Sequence, residues 1–284
     1  MASARRPPFS VAVRRVVRGR DCLALGVVPA VLVGVYLLPE PFRRSLAFSY
    51  SEPEPVTAFA AHYVHFAPEH LLANLVGYVV LAGCGYLLSA LADCRRLFGV
   101  AAATYLLAFP PILSALNLAV PRHAVGYGFS GIVMAFAGLL PVVLAVYAGR
   151  RLDARVRPRH APAPFFAALT LVALSLPRTR LTLGLVGAAG IVTTGYVTSL
   201  VSALGTDGSG AGRLAGPRRG WIDGLVVGTA AVLGYVVVGF SAAPVVRGGV
   251  VNRYVHLLGF CLAFIVPYVG VELGLFDVDG VAGR

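Results

Sequence analysis

The chain has 284 residues, 58% of them hydrophobic, with a mean hydropathy of +0.81, and this apolar excess excludes a soluble globular protein. Its formal charge of +12 comes entirely from arginine, since the sequence contains no lysine. No stretch is left over for a soluble domain that would carry a nucleic-acid-binding patch, so nucleic acid is excluded as a partner. The clumped arginines read instead as membrane-flanking clusters that set topology and face anionic lipid.

A bilayer crossing by a helix needs about 20 apolar residues. The first such run is Cys22 to Leu38, preceded by Arg5, Arg6, Arg14, Arg15, Arg18 and Arg20. No small-residue cleavage site follows it, so it reads as a retained anchor behind a basic cytoplasmic tail, residues 1–21. Pro39 to Glu69 is then an outer loop, long enough to suggest a functional role and rich in interfacial aromatics. The second span, His70 to Leu91, returns to a tight inner turn at Asp93-Cys94-Arg95-Arg96. The third, Leu97 to Val120, carries Pro110-Pro111, which must kink or interrupt it. After a short outer loop, Pro121 to Tyr127, the fourth span starts at Gly128-Phe129-Ser130-Gly131 and ends at an arginine-rich inner loop, 149–163.

Pro164 to Leu176 is short for a span, and Leu181 to Leu204 follows. The Gly- and Arg-rich stretch from Gly205 to Gly220 reads as a flexible cytoplasmic loop. Trp221 opens a span to about Ala243, Pro244 to Tyr254 forms an outer loop, and the last span is Val255 to Phe276, leaving a short tail, 277–284. If 164–176 crosses, eight spans result, with both termini inside. If it does not, His256 falls on the opposite side from Ser130. The expectation is an all-α, polytopic transmembrane helix bundle of about eight spans in one domain, 22–276, in the cell membrane with a cytoplasmic N-terminus.

The candidate functional residues share a depth. His70 and Asn74 begin the second span, Ser130 the fourth and His256 the last, all on the outer side, where polar groups tend to face a bundle interior or a wet cavity. Ser130 lies in a Gly-rich helix mouth whose unpaired N–H groups suit a developing oxyanion. Read alone, Gly-x-Ser-Gly is equally a small-residue packing motif. His256 is a candidate base for Ser130, and Gly259, on the same face, lets that helix approach closely. His70 and Asn74, one turn apart, are candidate oxyanion donors. His62, His65 and His70 are alternatively metal ligands or surface polarity. His65 stands five residues before His70, across Pro68, so no HExxH motif forms and no metal is expected. Four cysteines without a CxxC give neither a disulfide frame nor a thiolate site.

Taken together, His65-Phe66-x-x-x-His70-Leu71-x-x-Asn74, Gly128-Phe129-Ser130-Gly131 and His256-x-x-Gly259 resemble the rhomboid family of intramembrane serine proteases, over roughly residues 22 to 276. The resemblance implies a rhomboid-like core, Ser130 as nucleophile and His256 as base in a dyad without aspartate. It further implies oxyanion contributions from His70, Asn74 and the Ser130 amide, support from His65, Gly128, Gly131 and Gly259, and no cofactor. Its substrates would be membrane-spanning helices of other proteins, cut near the outer surface. The chain departs from the family in three places. Three spans rather than one separate the serine and histidine helices, so 164–204 reads as an insertion. Met134 stands where many members carry an aromatic one turn after the serine. The outer loop lacks a tryptophan–arginine pair. Two other readings compete: a catalytically silent relative that binds membrane helices, and a small transporter, against which stand the off-centre depth of the polar residues and the lack of a repeat.

Overall fold

The computed structural model describes residues 8–120, 123–205, 219–240, 245–246, 249–250 and 252–276. The apolar runs fold as helices because a backbone surrounded by hydrocarbon must satisfy its own N–H and C=O groups. Twelve α-helices are described. Four precede the first expected return span: α1 (Phe9–Val16), α2 (Gly19–Tyr36), α3 (Glu40–Ser45) and α4 (Pro55–Ala60). Then come α5 (Pro68–Leu91), α6 (Arg95–Leu107), α7 (Phe109–Asn117) and α8 (Ser130–Arg151). The last four are α9 (Pro162–Ser175), α10 (Arg180–Leu204), α11 (Arg219–Gly239) and α12 (Arg253–Glu272). Two 3-10 turns (Ala61–Tyr63 and Pro158–His160) and two short antiparallel ladders complete the described structure: β1 (Phe48–Ser49) with β2 (Val125–Gly126), and β3 (Val245–Val246) with β4 (Gly249–Val250).

Among the described residues six helices are long and apolar enough to cross a membrane: α2, α5, α8, α10, α11 and α12. The pair α6–α7 makes a seventh if its 51° bend at Pro110-Pro111 is taken within one span. The remaining expected span, fifth in chain order, is α9, and at 14 residues it rises only about 21 Å, short of the hydrocarbon thickness of about 30 Å.

α8 is the axis of the bundle. Every residue of its most apolar window is buried, 100% against 50% for α5 and for α12. Glycines let α12 lie directly on it: a Cβ at Gly259 would strike the Gly131 carbonyl, and one at Gly138 would strike the Phe260 carbonyl. These contacts pair the start of α8 with the start of α12, so the two helices run in the same direction. The short α9 therefore does not carry His256 to the opposite end from Ser130.

The segment 164–204, expected as an insertion, divides in two. α9 belongs to the bundle, because Phe165 stacks on Phe260 and Phe264 of α12 with ring centroids 5.1 and 3.8 Å apart. α10 lies outside it: none of its apolar window is buried, and it touches α9 through Phe166 stacked on Tyr196 at 6.1 Å.

At the end of the bundle away from Ser130, Arg95, Arg150 and Arg151 close helix ends. Arg150 donates to the Ala92 carbonyl and Arg151 to the Leu91 carbonyl, satisfying acceptors that the end of α5 leaves unpaired. Arg95 reaches the Val16 carbonyl, and the Tyr86 hydroxyl donates to Asp21. Residues 9–16, expected within a tail, are instead the amphipathic helix α1. Phe9 packs edge-on against Trp221 at 5.4 Å, while Arg14 and Arg15 are exposed.

At the Ser130 end the expected outer loop is folded. Arg43 is buried beneath it, donating to the carbonyls of Leu38 and His65 and lying 4.8 Å over the Tyr36 ring. The Ser114 hydroxyl donates to the Ala58 carbonyl and fastens α4 to α7.

Candidate active site

Ser130 is the first residue of α8, and the chain reaches it through Gly128 at φ +103°, a left-handed conformation that favours glycine. The His70 ring occupies the space that a side chain at Gly128 would need. The Gly128 N–H donates to the Ala61 carbonyl at 2.9 Å, which ties the turn to the folded loop. Ile132 and Val133 both donate their N–H to the Phe129 carbonyl. The N–H groups of Ser130 and Gly131 belong to the first turn, where no intrahelical acceptor exists.

His256 sits in the first turn of α12. Asn252 caps that helix, its side-chain oxygen accepting from the Val255 N–H at 3.2 Å. The Asn252 amide donates to the Tyr50 hydroxyl at 3.3 Å, which also accepts from Asn117 at 2.7 Å. The start of α12 is thereby bound to the end of α7 and to the loop.

Across the α8–α12 contact, His256 Nε2 lies 2.8 Å from Ser130 Oγ. His256 Nδ1 lies 2.9 Å from the Gly239 carbonyl oxygen at the end of α11. A carbonyl can only accept, so Nδ1 carries the proton and Nε2 presents its lone pair to the Ser130 hydroxyl. Phe240 stands edge-on to the imidazole at 5.9 Å and 85°. These two neighbours orient His256 where the sequence offered only Met134, which packs against Gly239.

The other predicted residues form a second layer. The Asn74 side-chain nitrogen donates to the His70 carbonyl at 3.0 Å and meets His65 Nε2 at 3.0 Å. The Phe129 N–H also points at His65 Nε2, at 3.4 Å. Facing two donors, His65 Nε2 must be the acceptor, and the ring is neutral. Burial, with smaller contributions from His70 and Arg43, pushes the His65 pKa down to about 3. The His65 and His70 rings meet edge to face at 5.0 Å. The expected oxyanion role of Asn74 is thus not preformed: both of its amide hydrogens are engaged, on His70 and on His65, because it shares a buried corner with two acceptors.

His62 is neither surface polarity nor a ligand partner of its neighbours. It is buried and meets Ser114 Oγ at 3.1 Å, and burial lowers its pKa to about 4. Among the described residues no group of three or more His, Cys, Asp or Glu is arranged to hold a metal ion.

The structure brings together Ser130, His256, Gly131 and Gly259 as one contact, and His65, His70, Asn74 and Gly128 as its wall. Sequence reasoning missed Gly239, Phe240, Tyr50 and Asn252. Asn252 was legible as an N-cap ahead of an apolar run; a carbonyl donated by the end of another helix leaves no trace in residue type. Of the outer loop 244–254, which with Gly248-Gly249 reads from its flexibility as a candidate gate, residues 244, 247, 248 and 251 lie outside the described residues. An apolar cavity of about 420 Å³ opens elsewhere, between α2, Phe59 and Leu106, and the Tyr63 ring separates it from Phe129. No protein-family model, characterised protein or solved structure matches this chain. The class defined by fold and site is a helical protein with, among the described residues, six membrane-length apolar helices and a buried histidine bonded to a half-buried serine.

Proposed function

We propose that this chain is an intramembrane serine endopeptidase with a rhomboid-like core, cleaving membrane-spanning helices of other proteins near the outer leaflet. The observation that carries the reading is the 2.8 Å bond from His256 Nε2 to Ser130 Oγ, in the tautomer a general base requires. Ser130 Oγ attacks the scissile carbonyl as His256 Nε2 takes its proton. His256 then returns that proton to the leaving amine, and water releases the acyl group by the reverse exchange. The tetrahedral oxyanion forms beside the Ser130 N–H, at the positive end of α8. His70 flanks that position, and Asn74 reaches it only by exchanging His65 or the His70 carbonyl for the oxyanion.

Depth supports the substrate class. Both reacting groups stand at helix starts, where water is near, yet within the bundle, where a transmembrane segment is presented laterally. Such a segment hides its amides in helical hydrogen bonds, so cleavage falls where small or helix-breaking residues let it unwind. The positive-inside rule puts the arginine-bearing end in the cytoplasm, with the N-terminus, in a cell membrane crossed about eight times. Coexpression with a single-span reporter tests the reading: the wild-type chain cleaves it near its outer boundary and Ser130→Ala does not. Equal cleavage by both would end the proposal.

A further inference from the structure

The reaction described above uses the bond between His256 Nδ1 and the Gly239 carbonyl only for the resting tautomer of the base. We infer that this carbonyl is the third member of the site: a positioning group at the end of α11 that holds the base in one tautomer and faces the charge it acquires. The inference rests on the serine-protease reading for its kinetic consequence, but its spectroscopic test does not.

Three observations carry it. Gly239 is the last residue of α11, and the final carbonyls of a helix lack intrahelical partners and form the negative end of its dipole. That end is aimed at the ring nitrogen opposite the one on Ser130, the position an acidic side chain takes in a three-residue site. The Met134 methyl group packs where a Cβ at Gly239 would stand, so the helix end is closed in beside the imidazole. Finally, Phe240 fixes the carbonyl in place: its side chain is buried against the imidazole and its N–H donates to the Val236 carbonyl at 3.0 Å. Both ring nitrogens of His256 are occupied, one by a hydroxyl and one by a carbonyl, so the site works without a buried carboxylate, which would be costly at that depth. It follows that the end of α11 stays docked on α12 through the proton-transfer steps.

The test weakens that one acceptor. Phenyllactate in place of Phe240 converts the 239–240 amide into an ester, whose carbonyl accepts a hydrogen bond less well. The corresponding α-hydroxy acid at Val238 makes the 237–238 ester, two peptide bonds earlier, and controls for loss of a helix N–H. With 15N-histidine labelling, and His256→Asn to assign the signal among six histidines, the wild-type protein shows a protonated Nδ1 and a bare Nε2 at His256. The 239–240 ester gives a mixture of tautomers and lowers kcat about tenfold with KM unchanged, while the control ester changes neither. A wild-type His256 protonated at Nε2, or an ester variant with unaltered tautomer and kcat, would overturn the inference. A protein with the Nδ1-protonated tautomer that cleaves nothing would support the role of Gly239 and sink the protease reading instead.

Discussion

His256 on Ser130 and His62 on Ser114 are both hydrogen-bonded histidine–serine pairs, 2.8 and 3.1 Å between nitrogen and oxygen. Their second bonds set them apart. The Ser114 hydroxyl gives its hydrogen to the Ala58 carbonyl at 2.8 Å, so His62 Nε2 must act as the donor and cannot draw a proton from the serine. At Ser130 the order is reversed. Gly239 takes the Nδ1 hydrogen, Nε2 is bare, and the serine hydrogen points at the base. Location agrees with chemistry: Ser114 lies inside α7 as a fastener for the loop, whereas Ser130 opens α8 beside first-turn N–H groups. Proximity of a serine to a histidine thus defines nothing until the remaining hydrogen bond of each is known.

The largest expected effect separates the pairs by function. Ser130→Ala and His256→Ala each lower reporter cleavage by at least about 10⁴-fold, since nucleophile and base act as a unit. The double variant is no worse than either single one; measurable residual cleavage that depends on His62 would reverse the assignment.

Next in size is the wall beside Ser130. Asn74→Ala lowers kcat by about 10²-fold, at the lower end for loss of one oxyanion donor. A double-mutant cycle with His65→Ala distinguishes two routes. Strong non-additivity means that Asn74 acts through His65 and the Phe129 amide, and additivity means that it leaves them to bind the oxyanion directly.

Acid exposes the structural side of the comparison. Burial holds His62 at about 4 and His65 at about 3, against 6.5 for a free imidazole. The folded protein binds these protons less readily than the unfolded chain does. Stability is therefore level above pH 6.5 and falls as pH drops below it, by about 1.4 kcal/mol per pH unit for each group, until the folded values are reached. Thermal unfolding in detergent between pH 7 and 4 measures the slope, and His62→Asn removes its share.

The smallest effect belongs to the fastening pair. Ser114→Ala strands the buried His62 donor and lowers stability by about 1–3 kcal/mol, with cleavage per folded molecule unchanged. Lost catalysis at intact stability would give Ser114 a role that the hydrogen bonding denies it.

Much of this was legible in residue order. Hydropathy gave the long helices though not α1, α3 or α4, Pro110-Pro111 the 51° bend, and Gly259 the close approach to α8. Ser130 and His256 were found as polar groups at matching helix starts. Other features depend on which helix meets which, and that is absent from local pattern. α9 has the composition of a span without its length, and α10 the length without burial. Arg43 is buried within the loop, a place that its charge does not announce, and Asn74 reads as a free donor and is engaged. The Gly239 carbonyl was invisible because every residue has one.

A fluorophosphonate probe, which reacts only with an activated serine, tests the central claim most directly. Peptide mapping of the labelled wild-type protein places the adduct on Ser130 and not on Ser114, and His256→Ala abolishes it while His62→Ala leaves it. An adduct that persists in Ser130→Ala, or that forms equally well without His256, would contradict the account.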